Sequence, residues 1–165
     1  MKLFFETITK FISGALLLIL LLFLPAGTFA YWNAWLFMGL LLIPTFCVGV
    51  GLFVKNKELL QKRLNTKEKQ STQKNVIRIT AIIMLLGFIS AGLDFKYNIT
   101  TVPNWLVILG SITLLISYAL YAEVLRENTY LSRTIEIQEN QKVVDTGLYG
   151  IVRHPMYMAT TFLYL

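Results

Sequence analysis

The chain has 165 residues, of which 56% are hydrophobic and 15% charged, against about a quarter charged in an ordinary soluble domain; that balance excludes a water-soluble fold. One cysteine, Cys47, and one histidine, His154, exclude an internal disulfide, a multi-cysteine metal site and a histidine-cluster centre, so no metal is expected. The length is one domain's worth and the +6 net charge belongs to membrane topology rather than to nucleic acid. The predicted fold is all-α, a multi-pass transmembrane helical bundle forming a single membrane domain over 1–165.

From Phe11 to Val54 run 44 consecutive positions without Asp, Glu, Lys or Arg, enough for two crossings at about 20 residues each. The first span is predicted over about 11–30, ending at Pro25, Gly27 and an interfacial aromatic group of Tyr31, Trp32 and Trp35. The same segment also fits a secretory signal, with Thr28-Phe29-Ala30 as its small-residue cleavage site. The second span, about 35–54, contains Pro44, where a kink is expected. A cytoplasmic connection over 55–75 follows. Within it Glu58 to Leu64 has the pattern of an amphipathic helix on the membrane surface, and Asn65 to Asn75 that of a flexible linker.

The third apolar run, about 76–93, is short for a crossing and is closed by Asp94 and Lys96. The fourth, about 105–122, is comfortable. With the N-terminus cytoplasmic, the connections alternate so that 14 of the 15 basic residues fall inside and Lys96 alone outside. The 123–154 segment is then cytoplasmic, with Thr134 to Gln138 alternating as an extended stretch and Asp145-Thr146-Gly147 reading as a turn. From Pro155, placed at the first helical position, the sequence is apolar again. Its 11 residues to Leu165 cover roughly 16 Å at about 1.5 Å each, half of a hydrocarbon core of about 30 Å, so 155–165 is expected to be an incomplete fifth span.

The densest group of candidate functional residues is Gly147-Leu148-Tyr149-Gly150-Ile151-Val152-Arg153-His154-Pro155-Met156-Tyr157. Arginine carries a planar fork of donors suited to carboxylate or phosphate, and histidine donates or accepts near neutral pH. The free amides at a helix start favour an anion further. An Arg-His pair beside tyrosines also serves as a plain topology anchor, and composition does not separate the two readings.

The stretch from Val144 to Tyr157 resembles the signature of the isoprenylcysteine carboxyl methyltransferase family, integral membrane methyltransferases related to phospholipid methyltransferases, in which a Gly-x-Tyr turn leads into Arg-His-Pro-x-Tyr. Asn128 to Gln138 is similar to that family's segment between its last two helices, and Gly92-Leu93-Asp94 to the end of its third; the resemblance covers about Glu58 to Leu165. It implies an S-adenosylmethionine-dependent methyltransferase acting on a lipophilic small-molecule or prenylated acceptor such as a prenylcysteine carboxylate. It further implies that Arg153, His154 and Tyr157 contact the cofactor while Gly147 and Tyr149 shape the pocket wall, with no catalytic residue assigned.

Two positions depart from the family pattern. Ala159 stands where the family usually has Gly, and the family's C-terminal part, with its acidic pair and aromatic segment, has no counterpart here. The expectation is that this polypeptide alone is inactive or weakly active. Membrane sterol reductases carry a similar Arg-His motif with a nicotinamide cofactor, but usually with Asn where this chain has Met156. A truncated, non-enzymatic membrane remnant is the third reading. Elsewhere, Asp94 with Lys96 is expected to be an interfacial cap and Cys47 a buried small apolar residue. Asn98-Ile99-Thr100 fits a glycosylation acceptor, and Glu123 and Glu127 are expected to be a solvated helix end.

Overall fold

In the computed structural model, which describes residues 2–65, 71–128, 130–131 and 143–164, seven helices follow one another. They are α1 (Lys2–Ala26), α2 (Trp32–Lys55), α3 (Lys57–Leu64), α4 (Ser71–Tyr97), α5 (Asn104–Glu127), α6 (Leu148–Ile151) and α7 (Pro155–Tyr164). Among the described residues there is no strand, and α1, α2, α4 and α5 are each long and apolar enough to cross a membrane. The protein is a membrane-spanning all-α bundle. Large apolar side chains such as Leu24, Ile83 and Leu86 lie exposed on these helices, as they must where hydrocarbon replaces water around them. Cys47 is likewise exposed, not buried; on a lipid-facing surface an apolar residue gains nothing by turning inward.

The helices outrun the apolar segments predicted for them. The third crossing is not short: α4 begins at Ser71, five positions before the apolar run, and reaches Tyr97. Its first turns are polar residues that a helix tolerates once propagation has begun. Likewise α1 starts at Lys2, where Thr7 Oγ1 donates to Leu3 O at 2.8 Å and Lys10 pairs with Glu6 at 2.6 Å. The stretch 134–138 and the basic residues Lys67, Lys69, Arg133 and Lys142 lie outside the described residues.

Packing divides the chain into two compact units, Met1–Leu42 with Lys67–Pro103, and Ile43–Thr66 with Asn104–Leu165. The change of unit falls inside α2, next to Pro44, whose ring removes one rung of the helical ladder.

In the first unit α1 and α4 pack side by side around Leu22, Phe23, Ala34 and Met38. Gly92 allows this approach, since a Cβ there would stand 2.6 Å from Leu22 O. Aromatic rings close the end of the unit. Phe23 lies 4.8 Å from Trp35, Tyr31 stacks on Phe95 at 4.2 Å, and Trp35 Nε1 donates to Phe29 O at 2.9 Å. Asp94 holds the turn after α4 by accepting from Thr100 N at 3.1 Å and Thr100 Oγ1 at 2.8 Å.

The second unit contains the remainder of α2 with α3, α5, α6 and α7. Asn56 caps α3 by accepting from Leu59 N at 2.9 Å, and Leu59 and Leu60 are buried. Helices α5 and α7 lie against each other along Leu114, Ser117, Pro155 and Ala159. The buried Ser117 hydroxyl donates to Ala159 O at 2.8 Å, which removes the penalty of burying it.

Candidate functional site

Gly147 has φ +56, a left-handed conformation that a side chain rarely adopts. The predicted turn is formed there, and α6 follows, with Tyr149 N donating to Thr146 O at 3.0 Å and Val152 N to Leu148 O at 2.9 Å. A three-residue link, 152–154, carries the chain into α7, which begins at Pro155 as expected. His154 O accepts from Tyr157 N at 3.1 Å and Met158 N at 3.2 Å, so His154 stands at the head of α7.

The candidate side chains distribute over two places. Arg153 and His154 are exposed, and Tyr157 is 71% exposed. The His154 and Tyr157 rings lie 5.4 Å apart and form an open aromatic face. Gly147 and Tyr149 instead lie against the end of α5, where Asn128 Nδ2 donates to the Tyr149 hydroxyl at 2.9 Å. Thr146 Oγ1 donates to Glu127 Oε2 at 2.8 Å, and Arg126 Nη2 donates to Glu127 Oε1 at 2.9 Å. A Cβ on Gly147 would come within 2.8 Å of Glu127 Cδ.

Glu127 is therefore not a solvated helix end: only 16% of its side chain is exposed. The returning turn at 146–147 covers it, a contact across 19 positions of sequence that no local pattern announces. Together Glu127 and Asn128 clasp the glycine turn to α5. The arrangement is rigid where the turn is held and open where Arg153, His154 and Tyr157 project.

The other face of α7 borders a cavity of about 420 Å³ within the same unit. Met156, Ala159 and Leu163, spaced along one helical face, line it together with Thr45, Leu52, Arg63 and Tyr118. Tyr157, Thr161 and Tyr164 turn the opposite way. Sequence reasoning singled out none of Thr45, Arg63, Tyr118 or Tyr121. Arg63 carried a usable signal, an arginine in a helix beginning one residue after a membrane span, but its place over the Tyr121 ring, at 5.2 Å, is a tertiary fact.

Among the described residues no group of three or more histidines, cysteines or carboxylates stands ready to hold a metal ion. Comparison of the chain with protein-family models, curated proteins and solved structures finds no match in any of the three.

Proposed function

We propose that this chain is an integral membrane S-adenosylmethionine-dependent methyltransferase of the isoprenylcysteine carboxyl methyltransferase type, acting on a lipophilic or membrane-borne acceptor. The observation that supports it most is the construction of the 147–157 segment, a glycine turn clasped to α5 and followed by an exposed Arg153-His154 pair just before the buried Pro155 that starts α7. Its residues fit the cofactor chemically. The Arg153 fork suits an amino-acid carboxylate, the positive end of the α7 dipole favours the same charge, and the His154 and Tyr157 rings offer a face for a purine. Gly147 and Tyr149 would form the fixed wall.

When bound, S-adenosylmethionine supplies a methyl group on a sulfonium: the acceptor's bond to carbon forms as the sulfur–carbon bond breaks, and sulfur keeps the electron pair. Charge is neutralised in such a step, so this chain's own residues contribute positioning and exclusion of water rather than proton transfer. In the same reading the N-terminus and the 123–154 segment are cytoplasmic, supported by the 14 of 15 basic residues that alternation places on one side.

Isothermal titration of the chain in lipid nanodiscs, with S-adenosylmethionine and with NADPH, tests the proposal. Heat is expected with S-adenosylmethionine and is lost in both Arg153→Ala and His154→Ala. Binding of NADPH instead, binding of neither, or retention in both variants overturns it.

A further inference from the structure

The start of α4 sets two cations at the head of an apolar helix face. Lys74 and Arg78 are four positions apart, so they stand about 6 Å apart along one side of the helix. Ala81 and Leu85 continue the same side. Every residue from Lys74 to Gly87 is exposed, so in a membrane this half of α4 is surrounded chiefly by lipid rather than by protein.

The chain offers these cations no carboxylate. From Ser71 to Leu93 the sequence contains no Asp or Glu. Asp94 lies about 24 Å beyond Arg78 along the helix axis and accepts from Thr100. Glu6, the other described carboxylate of the first unit, pairs with Lys10 at 2.6 Å. Among the described residues neither Lys74 nor Arg78 joins an ion pair. Val76 and Ile77 precede Arg78 and Ile79 follows it, so its guanidinium is rooted inside the apolar run, where an unmatched charge is costly. Helical side chains lean toward the N-terminus, which carries the guanidinium back toward the Lys74 turn and the membrane surface. Both charges therefore meet lipid at the depth of its phosphates.

We infer that Lys74 and Arg78 hold the phosphate of an anionic diacyl phospholipid, with an acyl chain lying along Ala81 and Leu85. The planar fork of Arg78 matches the two free oxygens of a phosphodiester, and the Lys74 ammonium adds a point charge. Phosphatidylcholine is the wrong occupant, because its own cation offsets the phosphate and is repelled by the pair. Phosphatidylglycerol leaves the phosphate charge for the protein to match. The inference needs neither methyl transfer nor a particular orientation of the chain, so failure of one leaves the other standing.

The full chain in dodecylmaltoside micelles is titrated with palmitoyl-oleoyl phosphatidylglycerol and with the phosphatidylcholine of the same chains, and bound lipid is counted by native mass spectrometry. The glycerol lipid is expected to bind at least about tenfold tighter. A phosphatidylglycerol with a photoactivatable acyl chain is expected to label α4 between Arg78 and Gly87.

Lys74→Gln combined with Arg78→Gln brings the two lipids to parity and removes that labelling, while Arg78→Lys keeps part of the preference. Both positions are exposed and glutamine is a good helix former, so α4 forms in these variants. Lys55→Gln combined with Lys57→Gln removes the same charge from exposed positions at the end of α2 and the start of α3 and leaves the preference whole. Equal binding of the two lipids by the parent chain, labelling confined to other helices, or a preference that survives loss of Lys74 and Arg78 overturns the inference. So does an equal loss in the Lys55 and Lys57 variant, which would mark bare net charge.

Discussion

Gly147 combines two demands that no other residue meets. Its φ of +56 disfavours any Cβ, and the space a Cβ needs is taken by the Glu127 carboxyl. Gly147→Ala is expected to destabilise the protein by about 1–3 kcal/mol from backbone strain and crowding. In a Glu127→Ala background the crowding is gone and the strain remains, so the same substitution should cost less there. Thermal unfolding of the four chains gives the coupling; strict additivity would show that Glu127 does not clasp the turn.

Glu58 offers a separate check at the surface. Its carboxylate is exposed, and the hydrogen bond to the Lys62 ammonium, at 2.6 Å, with the attraction of that charge, holds it below the usual glutamate value. A lowered value in the folded chain means that the contribution to α3 is present above the usual glutamate range. It is lost as the pH falls through the depressed value. Amide chemical shifts across α3 should lose helical character with acidification in the parent chain, while Glu58→Gln should show none of that dependence.

At the scale of elements, lateral approach distinguishes helices that hydropathy alone leaves equivalent. Gly92 sits where α4 meets α1, and a Cβ there would lie 2.6 Å from Leu22 O and 3.0 Å from Pro25 Cβ. Neither atom belongs to a flexible chain end, so the helices must part. Gly92→Ala is expected to destabilise by about 1–3 kcal/mol. Gly87, in the same helix, has nothing within 4 Å of its Cβ position, and Gly87→Ala should be neutral or stabilising by about 0.5–1 kcal/mol. Denaturation in mixed micelles compares the two; equal effects would contradict the α1–α4 interface. In α7 a face bearing Met156, Ala159 and Leu163 borders a cavity and the opposite face bears Tyr157 and Tyr164, a rotation that the run of apolar residues from Pro155 does not encode.

For the whole molecule, the proposed orientation predicts reporter fusions. Alkaline phosphatase joined after Ala30 or after Thr100 should be active, and joined after Asn65 or Asp145 inactive. The opposite pattern would place the Arg153 and His154 segment outside and remove the cytoplasmic cofactor from the proposal.

Much of the architecture was legible in order along the chain. The four apolar helices long enough to cross, the helix starting at Pro155, the short helix near Glu58 and the turn at Asp145 to Gly147 all follow from hydropathy, proline and glycine. These are local properties, decided by transfer of each segment between water and hydrocarbon. The sequence by itself thus determined that the protein is a membrane-spanning helical bundle and where its chemically richest segment lies. Only the tertiary structure decided that Glu127 and Asn128 clasp the glycine turn, that Cys47 faces outward, and that Arg63, Thr45 and Tyr118 share a cavity wall. In a bilayer both the lipid-facing and the helix-facing sides of a span are apolar, so rotation about the helix axis leaves little trace in hydropathy and is settled by side-chain packing and hydrogen bonds between helices.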